Sequence, residues 1–342
     1  MSFTVNISQH DLPITIEAGQ TILEAALAQG VPYPHGCRSG NCGACKSQLF
    51  SGNVEILPHS EFALSKDEKA SGLVLACRTV PWEDVGVTWL GDDDVIAHPF
   101  RKITGRVVSV DTMTHDIKRV RVKIQTGGPF AFSAGQYASV TFDGYPARDY
   151  SMANRPAVPV LEFHIRHVAG GEASTHVQEN LAKDDVVRIE GPYGSSWLRN
   201  AHRGPIVALA GGSGIAPIKS IVEQALSQGM KQAIHLYFGV RDERDLYLEA
   251  RFIKLCEKHK NLRFVPVLSE STGCTERRTG LVHETVSEDF DNLDEAKAYL
   301  AGPPPMVEAA TEFLRNVGVS RADIHADAFY TALEKTEMGK PP

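Results

Sequence analysis

Three cysteines stand close together in the run Cys37-Arg-Ser-Gly-Asn-Cys42-Gly-Ala-Cys45, and a fourth, Cys77, follows further along. C-x4-C-x2-C with one distant thiolate is the spacing of a plant-type [2Fe–2S] cluster. Three thiolates must converge on two irons, so the chain there has to fold back sharply. Gly36, Gly40 and Gly43 suit such a loop, where positive φ or close backbone approach is needed. A zinc ribbon would pair C-x2-C with a second C-x2-C, which is missing. A disulfide set does not suit a chain whose start lacks a basic and apolar leader. A Rieske centre needs two His ligands, and neither Cys37 nor Cys77 has a His two residues on. Cys37, Cys42, Cys45 and Cys77 are therefore the expected metal ligands. Cys256 and Cys274 are left as idle thiols.

This stretch, with Cys77, resembles the ferredoxin-like domain of flavin-dependent oxygenase reductases. A second set of residues extends the resemblance. Arg148-Asp-Tyr150-Ser151 is similar to the R-x-Y-S strand of the ferredoxin–NADP reductase family. The resemblance implies that Arg148 meets the flavin phosphates, Tyr150 lies along the ring and Ser151 touches its edge. Those residue types suit the tasks: a diphosphate takes a bidentate guanidinium, and a flat ring takes an aromatic wall. His164-Ile165-Arg166 and the helix entry Gly171-x-x-Ser174-Thr175 match the family's further flavin contacts. A glycine-led helix N-terminus is a ready anion site. A diphosphate contact, with the cysteine domain first in the chain, implies FAD. Relatives of phthalate dioxygenase reductase type use FMN and carry that domain last.

A third set would bind the nicotinamide. Gly211-Gly212-Ser213-Gly214-Ile-Ala-Pro217 resembles the family's G-G-[TS]-G-x-A-P loop, and Gly302-Pro303-Pro-Pro-Met306 its C-G-P-P-x-M loop. Glycines there let a pyrophosphate approach a helix N-terminus at the carboxyl end of a strand. Ala301 stands where many relatives have Cys, so hydride must move without that thiol. Arg241 and its acidic neighbours, through Asp245, follow the second sheet strand, where the ribose 2′ position lies. Acidic groups favour a free hydroxyl and Arg a 2′-phosphate. The resemblance of Gly239-Val-Arg241 and Asp245-Leu-Tyr247 is to NADH-using reductases, so NADH is expected. Finally, His325-Ala-Asp327-Ala-Phe329-Tyr330 resembles the ending of reductases of naphthalene dioxygenase type and, more loosely, of phenol hydroxylase type. It implies an aromatic over the flavin until nicotinamide displaces it, with Phe329 preferred and Tyr330 the alternative. Asp327 would be the acidic group beside flavin N5. Ser151, Asp327 and Phe329 are thus the expected catalytic residues.

The elements that must position these residues follow from the pattern. The chain of 342 residues is too long for one typical domain. Residues 1–95 read as two short strands, a helix opened by the capping box Thr21-x-x-Glu24 and closed by Gly30, the cysteine loop, and late strands. One late strand runs 46–54, and Leu73-Val-Leu-Ala-Cys77 reads as another that delivers the fourth thiolate. The order is that of a β-grasp ferredoxin-like domain. An acidic stretch, 91–99, reads as a linker. Residues 99–203 hold alternating strands, such as Leu161, Phe163 and Ile165 against Glu162, His164 and Arg166. They predict an antiparallel β-barrel for the flavin. One helix interrupts it, with Thr175 and Gln178 as a capping box. From 204 to 342, apolar strands alternate with helices, including one around 246–258. This predicts an open parallel α/β sheet. The tail from 334 reads as mobile. The fold class is multidomain, α+β followed by α/β.

Composition narrows the partners. Net charge is −7, which gives a nucleic-acid partner no electrostatic support. Residues 1–95 hold 5 Lys/Arg and 12 Asp/Glu, so the whole excess sits in the cysteine domain. It could steer the chain toward a basic face on an electron acceptor. No apolar run is long enough to span a membrane, and the cysteine usage fits a reducing cytoplasm. Together the resemblances imply a reductase that moves electrons from NADH through FAD to a [2Fe–2S] cluster. A ferredoxin or a Rieske-type terminal oxygenase in aromatic-ring hydroxylation would take them onward. The rivals are the reductase of a di-iron phenol- or toluene-type monooxygenase, the donor to a sugar-deoxygenation dehydratase, and a non-catalytic module that retains the folds.

Overall fold

The computed structural model describes all residues except 37, 41, 42, 62, 91–97, 157, 272–274, 332, 333 and 335–342. All of the expected linker but His98 and Pro99, together with Cys37, Cys42, Cys274 and nearly all of the expected mobile tail, lies outside the described residues. Two compact units are present. His98–Phe329 forms one, and the residues before it, with Tyr330 and those after, form the other. Among the described residues no helix is long and apolar enough to cross a membrane.

In the first unit the order is β1 (Ser2–Ile7), β2 (Ile14–Glu17), α1 (Ile22–Ala28), β3 (Lys46–Ser51), β4 (Val54–Ile56), α2 (Lys66–Ala70), β5 (Leu73–Leu75), β6 (Thr79–Pro81) and β7 (Val85–Trp89). Five strands make a β-grasp sheet in the order β2-β1-β7-β3-β5, and β4 pairs with β6. Thr21 Oγ1 accepts from the Glu24 N–H, and the Thr21 N–H donates to Glu24 Oε2, so the capping box forms as expected. Gly30 ends the turn at φ +78°. Ile22, Leu23, Ala25 and Ala26 of α1 are buried against Val5, Ile7, Ile14 and Ile16 of the sheet.

Two expectations here are corrected. The 46–54 strand breaks in two because Gly52, at φ +82°, turns the chain between β3 and β4. The strand carrying the fourth cysteine stops at Leu75. Cys77 sits in a 3-10 turn, Ala76–Arg78, closed by Thr79 Oγ1 donating to the Leu75 carbonyl at 2.7 Å.

The second unit opens with β8 (Arg101–Thr112), β9 (Ile117–Thr126), β10 (Tyr137–Phe142), β11 (Arg148–Ser151), β12 (Val160–Arg166), α3 (Glu172–Glu179) and β13 (Val186–Tyr193). Its antiparallel sheet runs β11-β10-β13-β8-β9-β12. An antiparallel bridge from Met152 to Phe163 brings the two edge strands together, so the barrel nearly closes. The helix expectation shifts at its start. Gly171, not Thr175, is the N-cap of α3; Thr175 lies within the helix, its Oγ1 3.2 Å from His167 Nε2.

The chain then alternates: β14 (Ile206–Gly211), α4 (Ile215–Ser227), β15 (Ile234–Val240), α5 (Glu249–Lys258), β16 (Leu262–Leu268), β17 (Arg278–Thr279), α6 (Val282–Asp289), β18 (Lys297–Gly302), α7 (Pro304–Asn316) and β19 (Ile324–Ala328). All six strands are parallel, in the order β17-β16-β15-β14-β18-β19. Every residue of β14 and β18 is buried, as continuous apolar runs between helix layers require. The strand order reverses between β14 and β18, and a crevice opens at such a switch point. Helix α5 starts later than its periodicity predicts. Asp242 and Asp245 cap a 3-10 turn, Glu243–Asp245, and Leu248 at φ +61° then redirects the chain.

Candidate functional site

In the cysteine loop, Arg38, Gly40 and Gly43 all have positive φ, of 57°, 80° and 74°. A Cβ on Gly40 would come within 2.8 Å of Arg78 Cγ, so a side chain there would push the loop off the Cys77 turn. Cys45 and Cys77 are both buried. The Ala76 N–H donates to the Cys45 carbonyl at 3.0 Å, which brings the third and fourth expected ligands side by side. Two buried thiols on tight turns, with close backbone around them, fit a soft-ligand cluster.

The flavin side begins at β11, a barrel edge. Arg148, Tyr150 and Ser151 pair with Val140, Ala138 and Tyr137 of β10. The Arg148 guanidinium donates to the Ala147 carbonyl at 2.8 Å. Tyr150 is half-buried against the barrel core, and burial pushes its phenol up to about 12. Along β12, Ile165 points into that core. His164 points the other way and is fully committed. Its Nε2 lies 3.2 Å from Glu162 Oε1 and its Nδ1 3.1 Å from the Tyr247 hydroxyl. Burial lowers the His164 pKa and keeps the ring neutral, and a carboxylate only accepts, so Nε2 carries the proton and Tyr247 donates to Nδ1. A flavin contact at His164 would therefore fall to its main chain. At α3, Ser174 Oγ donates to the Gly171 carbonyl at 3.0 Å, and no side chain caps the helix. The bare N-terminus fits an anion.

On the nicotinamide side, the loop after β14 and the loop after β18 are packed backbone to backbone. A Cβ on Gly214 would lie 2.1 Å from the Ala301 carbonyl oxygen, and one on Gly211 2.5 Å from Met306 Sδ. Gly302, at φ +150°, meets the Gly211 amide in the same way. Ser213 lies in the intervening turn, Gly212–Gly214, and Pro303 caps α7. Glycines thus line the ends of the two strands that flank the switch point, where a dinucleotide pyrophosphate fits.

Tertiary structure brings the two sides together. Ser151 Oγ donates to Asp327 Oδ2 at 3.1 Å, joining expected catalytic residues that lie far apart in the chain. The Phe329 N–H donates to the Gly302 carbonyl at 2.9 Å, and its half-buried side chain packs on the sheet core. Arg166, an expected flavin residue, reaches the nicotinamide loop: a Cβ on Gly212 would lie 3.1 Å from its Nη1.

Sequence reasoning missed Asp116. Its carboxylate takes a hydrogen bond from Arg166 Nε at 2.8 Å and lies 3.9 Å from Arg241 Nη2, linking two expected cofactor residues. Burial alone would raise its pKa; the bonds from Arg166 and Thr114 bring it below the ordinary value. Arg241 also lies 3.7 Å from Asp245. No local pattern marks Asp116, because its partners lie on other strands.

Geometry of this kind defines a class: an iron–sulfur flavoprotein that oxidises a nicotinamide dinucleotide. Three domain families match in chain order. They are a 2Fe-2S iron-sulfur cluster binding domain over residues 5–81, an oxidoreductase FAD-binding domain over 104–197 and an oxidoreductase NAD-binding domain over 208–312. The chain is 40% identical, over 94% of its length and 96% of the relative's, to the ferredoxin–NAD(P)+ reductase component of the naphthalene 1,2-dioxygenase/salicylate 5-hydroxylase systems of Ralstonia sp.. To the reductase component of phenol 2-monooxygenase from Pseudomonas sp. strain CF600 it is 35% identical, covering 98% of this chain and 96% of that one. Among solved structures, a cytochrome P450 reductase of Amycolatopsis superposes with a TM-score of 0.80 at 37% identity, covering 96% of this chain and 98% of that one. The chain belongs to the family of ferredoxin–NAD(P)+ reductase components of oxygenase systems, and it passes electrons from NAD(P)H by way of FAD to a [2Fe–2S] cluster.

Proposed function

We propose that this chain is the NADH-oxidising component of an aromatic-ring hydroxylating system, delivering electrons to a ferredoxin or directly to a Rieske-type oxygenase. FAD, when bound, accepts two electrons together and releases them singly, which matches a nicotinamide donor to an iron–sulfur acceptor. The observation that carries the reading is the Ser151–Asp327 contact, which sets the flavin strand beside the strand end next to Gly302. We assign residues 1–95 to the cluster, 99–203 to FAD and 204–342 to NADH. Cys37, Cys42, Cys45 and Cys77 hold the irons, Arg148 and the α3 N-terminus hold the FAD phosphates, and Tyr150 flanks the ring. The glycines at 212, 214 and 302, with Ser213, Pro303, Met306 and Arg241, receive the dinucleotide. Ser151 and Asp327 present a hydrogen-bonded pair at the flavin edge, and Phe329 covers the ring until nicotinamide arrives. The acidic excess of residues 1–95 supports a basic docking face on the acceptor. The cysteine usage supports a reducing cytoplasm.

The test is anaerobic reduction by NADH and by NADPH, followed by reconstitution with Rieske, di-iron and P450 oxygenase components. Flavin reduction by NADH, with product formed only when the Rieske system is present, is the expected result. Turnover with the di-iron or P450 component alone would overturn the partner assignment.

Two substitutions probe the site. Arg148→Ala should weaken FAD binding by about 10- to 150-fold, the loss of a charge-assisted pair worth about 1.5–3 kcal/mol. The flavin-to-protein absorbance ratio after gel filtration measures it, and full retention removes Arg148 from the phosphate site. Ser151→Ala should slow flavin reduction about tenfold, one net hydrogen bond, with FAD content unchanged. Stopped-flow absorbance reads that rate, and an unchanged rate would free the Ser151–Asp327 pair from any catalytic part.

A further inference from the structure

Between the barrel and α4 lies a buried group of charged side chains centred on Glu162, the partner of His164. Lys219 is the fifth residue of α4, one turn beyond the glycine loop. Its ammonium is buried, with a side-chain exposure of 6%. It donates to the Ala153 carbonyl at 2.7 Å and to Glu162 Oε1 at 3.1 Å, and lies 3.8 Å from Glu223 Oε2. The next residue, Ser220, is fully buried and donates through Oγ to the Asn154 carbonyl at 2.7 Å. Two consecutive residues of the nicotinamide-loop helix thus grip two consecutive carbonyls just past the Arg148–Ser151 strand. The gripped segment is held from its other side as well. The Ala153 N–H donates to the Glu162 carbonyl at 2.7 Å, and Asn154 Oδ1 accepts from the Glu162 N–H at 2.8 Å. Glu162 is in turn fixed by Arg121 Nε at 3.0 Å and by His164. Burial would raise the Glu162 carboxyl, but the His164 bond, the Lys219 charge and the Arg121 bond hold it well below the usual carboxylate range.

Such a buried ion cluster is a poor device for stability. Desolvation offsets most of the attraction, and apolar side chains of equal volume often do as well. Directed hydrogen bonds do something apolar packing does not: they set a register to within tenths of an ångström. Hydride transfer depends on register. Reacting atoms must come within about 3–3.5 Å, and a displacement of about 1 Å costs on the order of 100-fold in rate.

We propose that Lys219, seconded by Ser220, is a positioning residue for flavin reduction: it locks the helix that follows the nicotinamide loop to the chain that follows the flavin strand. The proposal deepens the functional reading above and rests on it. Lys219→Met fills the same space and leaves Glu162 paired with Arg121 and His164. In the holoprotein it should keep its FAD content and hold the apparent NADH affinity within about threefold. The limiting rate of flavin reduction should fall about 10- to 100-fold, as a misplacement of up to about 1 Å implies. Hydrogen exchange of the segment 152–154, read by mass spectrometry without any turnover, should quicken about tenfold as its grip is lost. If Lys219→Met does not accumulate as a flavoprotein, Ser220→Ala removes the neighbouring tie without disturbing a charge and should show the same pattern, smaller. A limiting rate within about twofold of the parent overturns the proposal. So does a slowing that tracks lost FAD or weakened NADH affinity, because that is plain loosening of the fold. The two levels separate cleanly: a parent protein that NADH does not reduce sinks the functional reading. A parent that is reduced while Lys219→Met is equally fast sinks only the positioning role.

Discussion

Cys77→Ser should leave NADH oxidation by ferricyanide within about twofold of the parent while cytochrome c reduction falls by at least about 100-fold, since even indirect disturbance of a metal site costs 10- to 100-fold. The residue is buried in the Ala76–Arg78 turn, held by the Thr79–Leu75 hydrogen bond and by the Ala76 N–H on the Cys45 carbonyl. Serine occupies almost the same volume, so these bonds survive and the β-grasp sheet has no reason to move. What changes is the donor atom: a hydroxyl is a poor ligand for an iron–sulfur cluster where a thiolate is a good one. Ferricyanide draws electrons at the flavin, whereas cytochrome c needs the one-electron exit. Iron and acid-labile sulfide should fall in step with cytochrome c reduction. Equal loss of both activities would contradict the relay from flavin to cluster.

Gly214→Ala should do the reverse and cripple the entry of electrons. Gly214 has ordinary helical φ, so conformational freedom is not the issue. The added methyl would lie 2.1 Å from the Ala301 carbonyl oxygen and 2.8 Å from the Gly302 nitrogen, both backbone atoms that no rotamer change can clear. The two loops must part, and overpacking of this kind costs about 1–3 kcal/mol. For a unit of this size that lowers the melting temperature by roughly 2–10 °C. A separation approaching 1 Å at the switch point should reduce the rate of flavin reduction by NADH by about 100-fold. Ferricyanide and cytochrome c reduction should fall together, while dithionite still reduces both cofactors. Gly229→Ala is the matched control. That glycine, past α4 at φ +75°, has nothing within 4 Å of the position a methyl would take, so it should lose about 1 kcal/mol and no rate. Parallel behaviour of the two variants would mean that the loop contact has no part in electron entry.

Much of the fold was readable because it rests on local chemistry. The capping box at Thr21, the buried runs of β14 and β18 and the core-facing Leu161, Phe163 and Ile165 of β12 are each written in neighbouring residues, and each formed, although Glu162 and His164 on the other face of β12 are buried too. Misreadings share one cause, which is competition from backbone geometry at a turn. Gly52 split a strand, the Ala76–Arg78 turn replaced the end of another, and Leu248 at positive φ delayed a helix. Gly171 took the cap that the Thr175 pattern predicts. In each case the side-chain pattern was compatible with both outcomes, and the path of the backbone decided.

In the sequence, cysteine spacing pointed to iron, while the likeness of Arg148-Asp-Tyr150-Ser151 and of the glycine loops at 211–217 and 302–306 to known family motifs implied a flavin and a nicotinamide dinucleotide. Such short stretches could do so because each of those ligands demands particular atoms at short range. Only the tertiary structure decided which of these residues meet. The contacts of Ser151 with Asp327, of Asp116 with Arg166 and Arg241, and of Lys219 with Ala153 and Glu162 all join distant segments. Contacts at that separation are set by barrel closure and by the order of strands in the sheet, which no local pattern of side chains encodes.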